Sequence, residues 1–309
     1  MRNFGNGRYV VTVLDDFSME MTGKDVARLE AAASVIPPGT RIHITFLDNE
    51  DLAMRVNAAA AVRRLGFTPV PHISARRLRS RAELKEFLAA LRAVDATETV
   101  FAVAGDPAVP LGPYEDSLAL IESGLLQEYG ARHISIGGYP AGHPDIATDV
   151  LWSALEAKSA ALAKLQLPGA VLTQVEFDVD QVLNWLAEVR QHGVELPVRV
   201  GVPGPTSIKG LLGFASRLGI STSHTIAKKY GFSMTNLLGK AGPETFLREL
   251  EAGLDPATHG VVLLHFYTFG GFKGTAEWIA NFRQELLRDP HNGKRFCRFP
   301  LSRPCGGVS

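Results

Sequence analysis

Eight times along this chain a short run rich in Val, Ile and aromatic residues is followed by a stretch with helical periodicity, and nothing else narrows the possible folds so far. The runs are FSMEM (17–21), RIHITFL (41–47), FTPVPHIS (67–74), ETVFAVAG (98–105), RHISIGG (132–138), GAVLTQVEF (169–177), LPVRVGV (196–202) and GVVLLHFYTF (260–269). The helical stretches include KDVARLEAAASV, a helix from Asp51 through Leu65, RAELKEFLAALRAV, YEDSLALIESGLLQEYG, a helix from about Thr148 to Leu165, DVDQVLNWLAEVRQHG and GTAEWIANFRQELL. The segment from Pro203 to His259 is longer and holds several helical pieces, among them SIKGLLGFASRLG and PETFLRELEAG. Parallel strands need a crossover of a dozen residues or more, which such helices provide, so the alternation predicts a parallel sheet with right-handed crossovers. Eight units in 309 residues is the size of a closed (β/α)8 barrel, the TIM barrel. An open doubly wound sheet is the rival, but its GxGxxG after the first strand is absent. VVTVL (10–14) is an added strand or a cap. The reading gives one barrel domain over 1–290 and a basic tail over 291–309.

Composition closes off several classes. Charges balance at 32 basic and 32 acidic residues, so no global field gathers nucleic acid or an anionic membrane. No apolar run is long enough to span a bilayer, and MRNFGNGRYV lacks the apolar core of a secretory signal, so the expectation is a cytoplasmic protein. The two cysteines, Cys297 and Cys305, both fall in the tail and make neither a disulfide framework nor a CxxC metal motif. A homo-oligomer is compatible with the many small apolar helical faces.

A barrel carries its site at the C-terminal ends of its strands, and there the polar residues collect. Glu20 ends the first unit, Thr45 lies near the end of the second and His72 ends the third. Gly105 and Asp106 follow the fourth; Gly137, Gly138 and Tyr139 follow the fifth, in the crowded turn GGYPAGHPD that also holds His143. Gln174 and Glu176 belong to the sixth, and His265 to Thr268 close the eighth. Each has an ordinary structural reading: a first-turn carboxylate for Glu20, a satisfied core histidine for His72, a turn for Asp106-Pro107, packing for Tyr139. Together they predict a mixed polar and aromatic pocket. Glycine allows close approach of backbone to a planar ligand, which suits an aromatic cofactor. The histidines have no metal-ligand spacing, and no nucleophile elbow is present.

PHIS (71–74), AGDP (104–107), GGYPAGHPD (137–145), LTQVEFDVD (172–180) and HFYTF (265–269), in this order and at strand ends, resemble the methylenetetrahydrofolate reductase family. The resemblance runs from about Phe17 to Thr268. It implies a barrel carrying FAD, a reduced folate as substrate and NADH or NADPH as electron donor, in one-carbon metabolism. By motif, Glu20 matches the family's general acid toward folate, Asp106 the aspartate of its RGD stretch near flavin and pterin, Gln174 the glutamine that meets the pterin, and Tyr267 the substrate-side tyrosine. Phe214 matches, across a gap, an aromatic that stacks on nicotinamide or folate. Flavin contacts are implied for Thr45, His72, Gly105, Asp106, Tyr114, Gly138, Tyr139, His143 and Asp149.

The departures fall on the folate and nicotinamide side. FSMEMTGKD stands where the family reads FEFFPP, Ala104 replaces the arginine of RGD, Gly270 and Gly271 replace the asparagine and arginine of HFYTLNR, and Gly210 stands at a helix glutamine. Lys273 and Lys209 are candidates for the missing cation. The implied reaction needs a proton on the leaving nitrogen of methylenetetrahydrofolate, which Glu20 supplies, while flavin carries the hydride chemistry. Two other readings stay open: a related flavin-dependent barrel with another substrate or an electron-donating partner protein, and a folate- or flavin-binding subunit.

Overall fold

The computed structural model describes residues 13–207, 210, 240–269 and 271–288. In it the eight-fold alternation closes on itself. The barrel strands are β1 (Ser18–Met21), β2 (Arg41–Ile44), β3 (Thr68–Ser74), β4 (Thr99–Val103), β5 (His133–Gly138), β6 (Val171–Val175), β7 (Val198–Pro203) and β10 (Val262–Tyr267). Every neighbouring pair is parallel, and β10 returns to β1 to complete the ring. A separate antiparallel pair joins β8 (Thr206–Ser207) to β9 (Lys240–Ala241). The fold is the TIM barrel that the alternation predicts.

The described helices are α1 (Val26–Ala32), α2 (Leu52–Arg64), α3 (Arg81–Ala93), α4 (Ser117–Glu122), α5 (Leu125–Glu128), α6 (Thr148–Lys164), α7 (Val179–Gln191), α8 (Glu244–Gly253), α9 (Pro256–His259) and α10 (Phe272–Arg288). Five start at side-chain caps. Asp51, Ser80, Asp116, Asp178 and Asp255 accept the backbone N–H groups of Met54 (2.7 Å), Glu83 (3.1 Å), Ala119 (2.9 Å), Gln181 (3.3 Å) and Ala257 (3.1 Å), which satisfies donors a helix start otherwise leaves open. In α6 Ala147 stands at the cap position and supplies none.

The single helix expected over 114–130 is broken. Gly124 takes a left-handed conformation (φ 72°) between α4 and α5, and Ser123 Oγ receives the N–H of Leu125 at 3.2 Å. Strand β2 stops at Ile44, short of the expected Leu47. Of VVTVL only Val13 and Leu14 are described, both buried in a turn. Phe214, Lys209, Gly270 and the tail with Cys297 and Cys305 lie outside the described residues.

Strand residues alternate between two environments. Outward positions such as Ile42, Ile73, Val100, Ile136, Val200 and Phe266 join one apolar cluster with Phe87 and Leu88 of α3, Leu186 of α7 and Phe282 of α10. The barrel interior holds a much smaller apolar group, Val70, Phe101 and Leu172. Much of the rest of the interior is polar. Near its N-terminal end the buried Arg199 donates to Asp16 at 2.9 Å, and Arg41 pairs with the same carboxylate. Burial, then the charges of Arg41 and Arg199, push His133 down to about 4. Among the described residues no helix is long and apolar enough to cross a membrane.

Candidate active site

The upper interior is built around one carboxylate. The register sets Ser18 beside His265, and Glu20 beside both His43 and Tyr267. Glu20 Oε2 lies 3.7 Å from His265 Nε2 and 3.9 Å from His72 Nε2. His265 Nδ1 meets Ser18 Oγ at 2.9 Å, and His43 Nδ1 meets His72 Nε2 at 3.3 Å. Desolvation comes first in lowering all three imidazoles, and holds His72 at about 4. These rings are therefore neutral at pH 7, each with one N–H and one lone pair. Tyr267 donates its hydroxyl to Thr173 O at 3.1 Å; burial, with Glu20 adding, pushes it well above the ordinary phenol range, so it stays a donor.

Beside this cluster a cavity of about 480 Å³ runs from the ends of β4 and β5 outward along α6. Ala104, Gly137, Tyr139 and Trp152 line it, with two cations, Arg76 and Lys158. Arg76 is anchored by Nε to Glu115 O (2.7 Å) and by Nη1 to Pro107 O (3.3 Å). Lys158 is 9 % exposed and makes no hydrogen bond or ion pair among the described residues. Burial brings it down to about 8, against the raising effect of Asp116.

Not every expected site residue reaches these two places. Asp106 is exposed and does not line the cavity; Arg77 grips its carboxylate and that of Asp48. Gly138 lines the cavity but has no room for a side chain: a Cβ there would stand 2.7 Å from both Trp185 and Val171, on the outward, helix-facing side of β5. Gly137 lines the same cavity, and a Cβ there would face the Tyr139 ring. Gly105 has φ 92° and would put a Cβ 2.2 Å from Ser74 Oγ, so glycine is required there by protein packing. Gln174 folds its Oε1 onto the N–H of Val175 at 3.0 Å.

Thr45 Oγ1 is buried without a partner among the described residues. The Tyr114 hydroxyl is buried beside Arg81, His143 accepts the Asp145 N–H at its Nδ1 (3.1 Å) and packs edge-on against Tyr139, and Asp149 is exposed in the first turn of α6. Gly271 has φ 95°, a conformation side chains rarely adopt, so the turn after β10 suits glycine and not the family's arginine. Lys273, 65 % exposed, faces Glu277 and solvent instead.

Sequence reasoning missed His43, Arg76, Lys158 and the role of Glu176. Lys158 left a signal: it falls between Leu155 and Leu162 on the buried stripe of α6, where a lysine is out of pattern. Glu176 is 3 % exposed with one oxygen unpartnered; burial pushes it up to about 8 although the Ala141 N–H lowers it.

A family model described as methylenetetrahydrofolate reductase matches residues 27–281. Methylenetetrahydrofolate reductase (NADH) 1 of Zea mays is 33% identical over 131 residues, covering 37% of this chain and 21% of that protein. The Arabidopsis thaliana protein of the same description is 29% identical over 134 residues, covering 38% and 22%. The chain thus spans about a fifth of the length of the curated relatives it matches. A solved Clostridium thermocellum protein, itself uncharacterized and binding two copies of 5-methyl-5,6,7,8-tetrahydrofolic acid, superimposes with a TM-score of 0.53 at 11% identity, covering 89% of this chain and 96% of that one. That likeness supports the barrel alone. With more than half of its length matched by the family model, the chain belongs to the methylenetetrahydrofolate reductase family.

Proposed function

We propose that the protein is a FAD-dependent reductase that converts methylenetetrahydrofolate to methyltetrahydrofolate, with NADH or NADPH as electron donor. The observation that carries the reading is Glu20, a carboxyl set between two neutral imidazoles at the end of β1. A passive binding module has no use for an acid there.

The residues fit a dinucleotide flavin. Lys158 is a buried ammonium lining the cavity without a partner among the described residues, and Arg76 lines the same cavity. These two would hold the diphosphate, since a desolvated cation gains most from an anion. Gly137 and Tyr139 give a flat wall at the strand ends, and the unpartnered Thr45 hydroxyl offers a further polar contact. Bound FAD would supply the two-electron hydride chemistry that side chains lack.

The protein's own part is positioning and proton delivery. Opening the five-membered ring of the substrate needs a proton on the leaving nitrogen, and Glu20 is the acid placed for it. Tyr267 and Gln174 would orient the pterin, the first through the oxygen lone pairs left while its O–H donates to Thr173 O and the second through its carboxamide. Asp106, gripped by Arg77, would act through charge. Anaerobic mixing of the FAD-loaded protein with NADH or NADPH, and then with methylenetetrahydrofolate, tests the reading through the flavin spectrum. Bleaching followed by folate-dependent return is expected. A protein that retains no flavin, or whose reduced flavin ignores the folate, contradicts it.

Ala104 and Gly271, standing where the family carries arginine, favour one second reading: a related flavin barrel with a different substrate or an electron-donor protein. It predicts flavin binding without folate-dependent reoxidation.

A further inference from the structure

Within the barrel, His43 has no part in the scheme above, yet it touches every imidazole that serves Glu20. It lies on β2, is 1 % exposed, and is the register partner of Glu20. Its Nδ1 is 3.3 Å from His72 Nε2. Its ring stands edge-on to His265 with centroids 4.7 Å apart, to His72 at 5.4 Å and to Phe101 at 5.7 Å. The charged groups that act on this cluster are Glu20 from β1, Arg41 from the far end of β2 and Arg199 from β7.

A neutral imidazole has one N–H and one lone pair, and the partner of one nitrogen dictates what the other offers. His72 Nε2 is the nitrogen that faces both His43 and Glu20. If that nitrogen holds the proton, its single N–H is shared between His43 and Glu20, which suits a carboxylate. If His43 donates instead, His72 Nε2 spends its one lone pair on His43 and offers Glu20 no N–H, which leaves a carboxylate there uncompensated and favours the protonated acid. Arg199 and Arg41 act on His43 and not on His72, so their positive charge favours turning the His43 proton toward His72, on Nδ1. We propose that His43 is a positioning residue that donates to His72, fixes its tautomer, and thereby holds Glu20 as the acid. The proposal rests on the reading of Glu20 as proton donor.

The tautomers are measurable without turnover. Long-range 1H–15N correlation spectra of the full chain with labelled histidines distinguish Nδ1–H from Nε2–H rings, and H72Q assigns the His72 signals. The expected result is His72 protonated on Nδ1 in the parent protein. In H43F, which keeps the ring but has no nitrogen, His72 should lose that single tautomer. H43Q, which keeps a donor, should retain it.

Folate-dependent reoxidation should slow at least about tenfold in H43F, a part of the roughly 100- to 10,000-fold that a positioned acid contributes, with flavin reduction by NADH unchanged and H43Q largely restored. His72 protonated on Nε2 in the parent, or the same His72 tautomer in folded H43F and parent, overturns the proposal. The parent spectrum decides even if H43F does not fold. An E20Q protein with unimpaired reoxidation removes the acid role instead and leaves the tautomer result standing, so the two failures are separable.

Discussion

Arg77 closes on Asp106: its Nη2 lies 2.6 Å from both carboxylate oxygens, and its Nε lies 2.9 Å from Oδ1. The pair is lopsided, with the Arg77 side chain 10 % exposed and that of Asp106 75 %. Water and salt screen the carboxylate far more than the guanidinium. If FAD binds along β4 and β5, R77M should therefore lower the flavin midpoint potential by more than D106N raises it, because it leaves Asp48 and Asp106 uncompensated. Spectroelectrochemical titration of the two variants checks this; a larger shift in D106N would put the Asp106 charge in direct contact with the flavin.

Gly138 and Gly137 should respond in opposite ways. A valine at 138 drives its Cβ into Trp185 and Val171, and overpacking of this kind destabilises by about 1–3 kcal/mol. G138V should lower the melting temperature and release helix α7 from β5. An alanine at 137 meets the Tyr139 side chain at ordinary contact distance, 3.6 Å or more, so G137A should fold normally and bind flavin more weakly. Thermal melts with flavin-fluorescence titrations separate the two; a normally stable G138V protein contradicts the assignment.

Lys158 should read the diphosphate and not the isoalloxazine. A charge-assisted hydrogen bond contributes about 1.5–3 kcal/mol, so K158M should lose roughly tenfold to a hundredfold in FAD affinity. Riboflavin, which has no phosphate, should bind the variant as it binds the parent. Equal losses for riboflavin and FAD would mean that Lys158 supports the cavity walls instead.

Glu176 makes stability fall as pH rises. Its folded-state value of about 8 exceeds the ordinary 4.5, so between those values the folded protein holds a proton that the unfolded chain has released, and the slope is up to about 1.4 kcal/mol per pH unit. E176Q, which keeps an acceptor for the Ala141 N–H, should melt higher than the parent at pH 8 and nearly with it at pH 4.5. Indistinguishable pH profiles would contradict a buried neutral acid.

On the acid side the histidines reverse the sign. His72 and His133, each at about 4, must be charged when the protein unfolds below the ordinary 6.5. Each adds a loss of up to about 1.4 kcal/mol per pH unit as pH falls toward 4. H72Q should flatten that limb in urea titrations between pH 6.5 and 4, and an unchanged limb would mean that His72 is not held neutral.

The barrel was legible because period and length carry it: each Val- and Ile-rich run with its helix is a local signal, and eight of them leave little choice of closure. The strand ends were legible as positions, which is why Glu20, His72 and Tyr267 do meet in the interior. Orientation was not. Gly138 points outward because side chains alternate along β5, and nothing in the word GGYP says which glycine faces in. Asp106 stands beyond the end of β4, where a loop sets its direction, and its partner Arg77 comes from the corner after β3. His43 was passed over because a lone histidine in RIHITFL has no spacing signature; its meaning appears only when β2 lies between β1 and β3.

The central claim is that Glu20 delivers the proton to the folate. A positioned acid contributes about 100- to 10,000-fold, and a glutamine keeps the shape without the proton. Rapid-mixing measurement of both half-reactions in E20Q should therefore show folate-dependent flavin reoxidation slowed by an amount in that range, with FAD binding and flavin reduction by NADH close to the parent. Reoxidation at the parental rate in a folded, flavin-loaded E20Q protein would contradict the account.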